Sequence, residues 1–139
     1  MLKNIASAAL AAGMLCAPAL AHAPRAVPSL SGSYVYSGAE NCPSGGGSIH
    51  QVSGTLTFDP ASGKARLDAY FVTGDAPEIL RVKSTQDYTN SAAAFSLAGN
   101  SYHITYGPVQ GGVAAYASFI GLVQDGTANC GFQGTITLQ

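Results

Sequence analysis

A chain of 139 residues with six basic and seven acidic side chains carries a formal net charge of −1, and only 9% of it is charged. This excludes a nucleic-acid binder, which needs a basic face, and a chain held on membranes by a polybasic patch. With 47% hydrophobic residues and no tryptophan, there is apolar material for one compact core and no room for a second domain.

Lys3 precedes an apolar stretch from Ile5 to Leu20, closed by the small-residue pattern Ala19-Leu20-Ala21. These are the marks of a secretory signal peptide over residues 1–21, cleaved after Ala21, and the stretch falls short of the roughly 20 apolar residues of a membrane span. Cleavage after Ala23 satisfies the same rule but leaves Pro24 first. A lipid anchor on Cys16 is disfavoured by the larger Met14 and Leu15 before it. The mature chain is therefore expected to be secreted or periplasmic, with no membrane insertion. Residues 22–30, HAPRAVPSL, contain two prolines and no apolar period and read as a flexible lead-in. Residues 31–139 are expected to form a single β-barrel domain.

From Ser31 the apolar residues recur at every second position and turn residues interrupt them at regular spacing, the pattern of an all-β barrel or sandwich. The expected strands are 31–37, 49–59, 63–73, 78–87, 91–98, 101–107, 112–124 and 131–138. In the second, Val52, Gly54, Leu56 and Phe58 share one face while Ser53, Thr55 and Thr57 share the other. The third alternates similarly, with Ala65, Leu67, Ala69 and Phe71 opposite Lys64, Arg66 and Asp68. Between them Pro60 presets φ and Gly63 can take a left-handed conformation. The fourth, EILRVKSTQD, does not declare which side faces inward. Gly99-Asn100 reads as the tight turn between the fifth and sixth. The last buries Phe132, Ile136 and Leu138.

Signal cleavage removes Cys16 and leaves Cys42, in GAENCPSGGGS, and Cys130. In an oxidising compartment one disulfide is the simplest state, with free thiols or a link between chains as the alternative. Short connections make an up-and-down meander the economical topology. In an open meander the first and last strands would be about 34 Å apart at about 4.8 Å per spacing, whereas a disulfide spans roughly 4.4 to 6.8 Å between Cα atoms. Pairing the last strand antiparallel to the first brings Cys130 beside Cys42. The expectation is a closed eight-stranded antiparallel up-and-down β-barrel of calycin-like architecture, the alternative a two-sheet β-sandwich.

The loop after the first strand then overhangs one barrel end, where an eight-stranded barrel can hold a small ligand. Glu40 and Asn41 lie in that loop and His50 starts the next strand on the inward parity. Asp75, Glu78, Asp125 and Asn129 border the same end. A histidine with a carboxylate in reach suits a general base; the plainer reading is a solvated polar rim. Tyr34, Tyr36, Tyr102 and Tyr106 can all face inward, where each hydroxyl needs a partner or water, so they imply either a polar pocket or a buried network. His103 is expected to point outward. No metal-ligand spacing, nucleophile motif or phosphate loop is present, so no metal or other cofactor is expected.

The seventh strand, GVAAYASFIGLVQ, is apolar on both parities. Its outer residues Tyr116, Ile120 and Leu122 are candidates for a homo-oligomer interface, with a folded-over lead-in as the alternative cover. The architecture resembles that of small secreted barrels such as lipocalins and avidins, and eight-stranded barrels also serve bacterial cyclases and dirigent-type proteins. Lipocalins carry a G-x-W motif near the first strand and avidins stack ligands on tryptophan, which this chain lacks. The resemblance therefore implies no ligand and no site residue. Three functions follow from the residues: a binder of a small hydrophobic or aromatic molecule at the mouth, a small barrel enzyme of isomerase or cyclase type working by proton transfer, or an interaction protein acting through strand 112–124.

Overall fold

The structure, a computed structural model, describes residues 25–42, 49–72, 78–125 and 128–139. The expected signal peptide, the stretch 43–48 and Asp75 lie outside the described residues. The described residues are all-β, with ten strands: β1 (Gly32–Asn41), β2 (Ile49–Asp59), β3 (Lys64–Val72), β4 (Ile79–Asn90), β5 (Ala94–Leu97), β6 (Asn100–Tyr106), β7 (Val109–Gln110), β8 (Val113–Ala114), β9 (Tyr116–Asp125) and β10 (Ala128–Leu138). Eight of these close an antiparallel barrel in the order β1-β10-β9-β6-β5-β4-β3-β2, and β7 with β8 form a small separate hairpin. The barrel closes as β1 pairs with β10 from Tyr34↔Leu138 to Asn41↔Gly131. One residue beyond that ladder, Cys42 and Cys130 form a disulfide with Cα atoms 4.3 Å apart.

Period-two alternation sets the inward face of each strand. Tyr34 and Tyr36, Leu56 and Phe58, Tyr102 and Ile104, Phe119, Phe132 and Ile136 all belong to one buried core. Their rings make a continuous chain across the interior, from Tyr34–Phe58 at 5.5 Å through Phe58–Phe95 at 6.1 Å and Phe95–Phe119 at 5.1 Å to Phe119–Phe132 at 6.0 Å. The middle of the barrel is thus a packed aromatic core rather than a cavity, and such large apolar side chains supply most of the burial energy. The faces of β4 are settled by register: Leu80 opposes Phe71 and Val82 opposes Ala69, so the even-numbered residues point inward. Arg81, Lys83 and Asp87 point outward, pairing with Asp68 and Lys64 of β3.

Three expectations are corrected. The lead-in does not stay flexible to its end. Ser29 bonds to the β7–β8 hairpin on both sides, its N–H donating to the Gly112 carbonyl and its carbonyl accepting from Ala114 N–H, each at 2.9 Å. Leu30 is 0% exposed, its carbonyl takes the Tyr88 hydroxyl at 3.0 Å, and Asn90 Nδ2 reaches the Pro28 carbonyl at 2.9 Å. This segment seals one end of the barrel. The expected strand 112–124 is also not continuous. Ala114 and Ala117 are both buried, although positions three apart lie on opposite faces of a strand, so the chain must bend between them and β8 ends before Ala115.

The β5–β6 turn sits one position earlier than Gly99-Asn100. Leu97 pairs with Asn100, and Ala98 and Gly99 hold φ of 55° and 79°, the two positive values of a type I′ turn. Alanine in that conformation is strained, whereas asparagine tolerates it. Ala98→Asn is expected to raise the unfolding free energy by about 1 kcal/mol, checked by a thermal midpoint several degrees higher with an unchanged barrel spectrum.

Candidate functional site

The two barrel ends differ. At the sealed end the Tyr34 hydroxyl donates to the Ala114 carbonyl at 2.8 Å. Tyr106 donates to the Ser91 carbonyl at 2.8 Å and accepts from Asn90 Nδ2 at 2.9 Å. Both of these tyrosines are satisfied structural groups, far from the disulfide.

The other end, the mouth, holds Glu40, His50, Tyr36 and Tyr102. Glu40 opposes His50 on β2 and Phe132 on β10, so carboxylate and imidazole start from the same inward row at the rim. Glu40 Oε1 lies 3.2 Å from Cys42 Sγ. A disulfide sulfur has no proton to donate, so this is a packing contact that fixes the carboxylate beside the bridge. Glu40, Cys42 and Cys130 are close enough for one metal ion, but both sulfurs are used by the bond. Asn41 points outward and is exposed, as is Asn129; Glu78 is exposed just before β4 and Asp125 closes β9.

Below the rim, the Tyr36 ring stacks on Phe119 at 6.2 Å and Tyr102 packs edge-on to Phe132 at 5.9 Å. Burial pushes the Tyr36 phenol pKa up, and Tyr102 and Glu40 push it further. Tyr102 is pushed up to about 12, first by burial and then by Glu40. Tyr102 packs on Phe132, the register partner of the rim residue Glu40, and Phe119 beneath Tyr36 stacks on the same ring, so both phenols belong to the mouth half of the core. Each is a neutral donor at ordinary pH. Neither donates to a described residue, yet no buried polar side-chain atom among the described residues lacks a partner, so both hydroxyls are open to the mouth.

Residues of β4 that the sequence left ambiguous complete the wall. Leu80 and Val82 face the interior and are nevertheless 46% and 37% exposed. The reason is the short β5–β6 hairpin: it pairs with β4 only over Tyr88–Asn90, and β6 meets β9 only as far as Gly121. Above it, β4 and the end of β9 rise without a strand between them among the described residues, and the mouth opens sideways. Alternating charges at Arg81, Lys83 and Asp87 were the sequence signal for this inward row, because ionic side chains mark the outer parity.

The remaining candidates lie outside the barrel. Tyr116, Ile120 and Leu122 project outward from β9 and are 37%, 59% and 63% exposed. The described lead-in lies at the sealed end and does not cover Ile120 or Leu122. His103 also points outward. Among the described residues no helix is long and apolar enough to cross a membrane. No protein-family model matches the chain, no curated protein is similar to it at a significant level, and no solved structure matches it significantly.

Proposed function

We propose that the protein is a noncatalytic binder of a small hydrophobic or aromatic molecule, secreted or periplasmic, whose site is the mouth beside the disulfide. The observation that carries this reading is the pair of neutral tyrosine hydroxyls, Tyr36 and Tyr102, that donate to no described residue. Two donors with no acceptor among the described residues suit a ligand carbonyl or ether. Leu80 and Val82 offer an apolar wall that water now covers, and covering it would add hydrophobic free energy. Glu40 and His50 at the rim would orient a polar tail. The signal-like N-terminus and the disulfide support an oxidising compartment.

The test is titration with the solvatochromic ketone 6-propionyl-2-(dimethylamino)naphthalene. The expected result is saturable one-to-one binding with a blue-shifted emission. Removing each donor by Tyr36→Phe or Tyr102→Phe should weaken it roughly three- to tenfold, the worth of one hydrogen bond, and Val82→Arg should abolish it. Non-saturable binding, or binding indifferent to all three substitutions, rejects the reading.

A further inference from the structure

The outside of the barrel is divided by charge. Among the described residues the strand-face ion pairs all lie on β3 and β4. The outward positions of β1, β6, β9 and β10 carry no Asp, Glu, Lys or Arg, and β2 has only Asp59 at its last position. On this uncharged face lies an open groove of about 750 Å3 running from Tyr70 and Val72 on β3 across β2, β1, β10 and β9 to His103 on β6.

Two glycines lie at the centre of the groove. Gly38 and Gly134 are direct partners across β1 and β10, and both face inward. A Cβ on Gly134 would lie 2.7 Å from Phe119 Cζ and 3.0 Å from Phe132 Cε1, and one on Gly38 would lie 3.0 Å from the Gln133 carbonyl. Core rings fill the space that side chains would take there, so only glycine fits at these two positions, and both line the groove through their backbone alone.

We propose that this groove binds an uncharged polyhydroxyl chain, a neutral glycan. Its lining alternates hydroxyls and amides, Ser37 and Ser53, Gln51 and Gln133, and Thr135, with apolar Val72 and Ile120; the polar groups can donate and accept as sugar hydroxyls require, and the apolar ones suit the C–H faces of sugar rings. Tyr70 forms one wall. Its register partner Arg81 on β4 lies over the ring, 5.6 Å from the centroid. The groove lies on the β2 side, so the ring offers its other face to the groove as a stacking platform for a sugar. No Asp, Glu, Lys or Arg lines the groove to pair with an ionic ligand. A second copy fits poorly: seating the ionic β3–β4 face in the groove would desolvate the Arg81–Asp68 and Lys83–Asp68 pairs against a surface with no Asp, Glu, Lys or Arg to compensate. The groove is on the outer wall, separate from the mouth, and this assignment stands without the mouth's ligand.

Isothermal titration calorimetry with cellohexaose, maltohexaose, mannohexaose and chitohexaose tests it. At least one should bind one-to-one. Tyr70→Ala should weaken that binding roughly tenfold, as loss of a stacked ring does, whereas Tyr70→Phe should retain it, and Gln51→Ala with Gln133→Ala should weaken it further. All four are surface changes, and an unaltered urea midpoint confirms the fold. Tyr102→Phe should leave glycan binding unchanged, so failure at the mouth and failure at the groove are told apart. The proposal is overturned if none of the four sugars binds, if binding ignores Tyr70→Ala, or if sedimentation shows a dimer that Gln133→Arg dissociates.

Discussion

Reduction of the Cys42–Cys130 bond, or its replacement by Cys42→Ser with Cys130→Ser, is expected to lower the unfolding free energy by about 4 to 5 kcal/mol in the chain-entropy model. The size follows from the sequence separation of 88 residues, since a long closed loop removes the most freedom from the unfolded chain. For a domain whose total stability is of order 5 to 15 kcal/mol, that is roughly a quarter of the whole or more. The barrel should still close, because the β1–β10 ladder from Tyr34 to Asn41 is intact without the bond. Its mouth edge, where Asn41 is the last paired residue, should fray first. Urea unfolding with and without a phosphine reductant measures the loss, and hydrogen exchange should show it largest at Glu40 and Asn41. A change under 1 kcal/mol would mean that the ladder alone fixes closure and that the bridge is redundant. Cys130 is 0% exposed and Cys42 6%, so native-state reduction should be slow and governed by opening of this end.

The closure was legible in the sequence because two constraints met in one solution. Val52, Leu56 and Phe58 on β2 alternate so regularly with polar neighbours that the strand's faces needed no tertiary information, and the paired cysteines then forced the strand ribbon to wrap round. Local pattern also gave the inward side of Tyr34, Tyr36, Tyr102 and Tyr106, but not of Tyr88, which fell between expected strands. It could not tell satisfied hydroxyls from open ones, because the acceptors of Tyr34 and Tyr106 are the carbonyls of Ala114 and Ser91, on elements whose position no local pattern specifies. The break at Ala115 was hidden for a related reason: strand 112–124 is apolar on both parities, so periodicity gave no phase to lose. The groove was invisible because its lining comes from strands far apart in sequence, and Gly38 meets Gly134 only once β1 and β10 pair.

The lead-in shows the same limit with a measurable consequence. Two prolines and the absence of a period read as disorder, yet Leu30 is wholly buried in the core with Tyr34, Phe58 and Tyr88. Leu30→Ala is expected to cost about 3 to 4 kcal/mol, within the range for truncating a buried leucine and leaving the space empty. The hydrogen bonds of this segment cannot offset that loss: the Ser29 and Leu30 carbonyls are backbone groups and survive the substitution. The cost should therefore appear as lost packing alone, in the urea midpoint with an unchanged m-value. Val27→Ala three residues earlier supplies the control, because Val27 is 45% exposed and its truncation should change stability by no more than about 0.5 kcal/mol. Equal effects at the two positions would mean that the plug is not seated. With Leu30 costly and Val27 neutral, the boundary of the folded domain lies between them, and the sealed end is maintained by a side chain that enters the barrel from outside its strands.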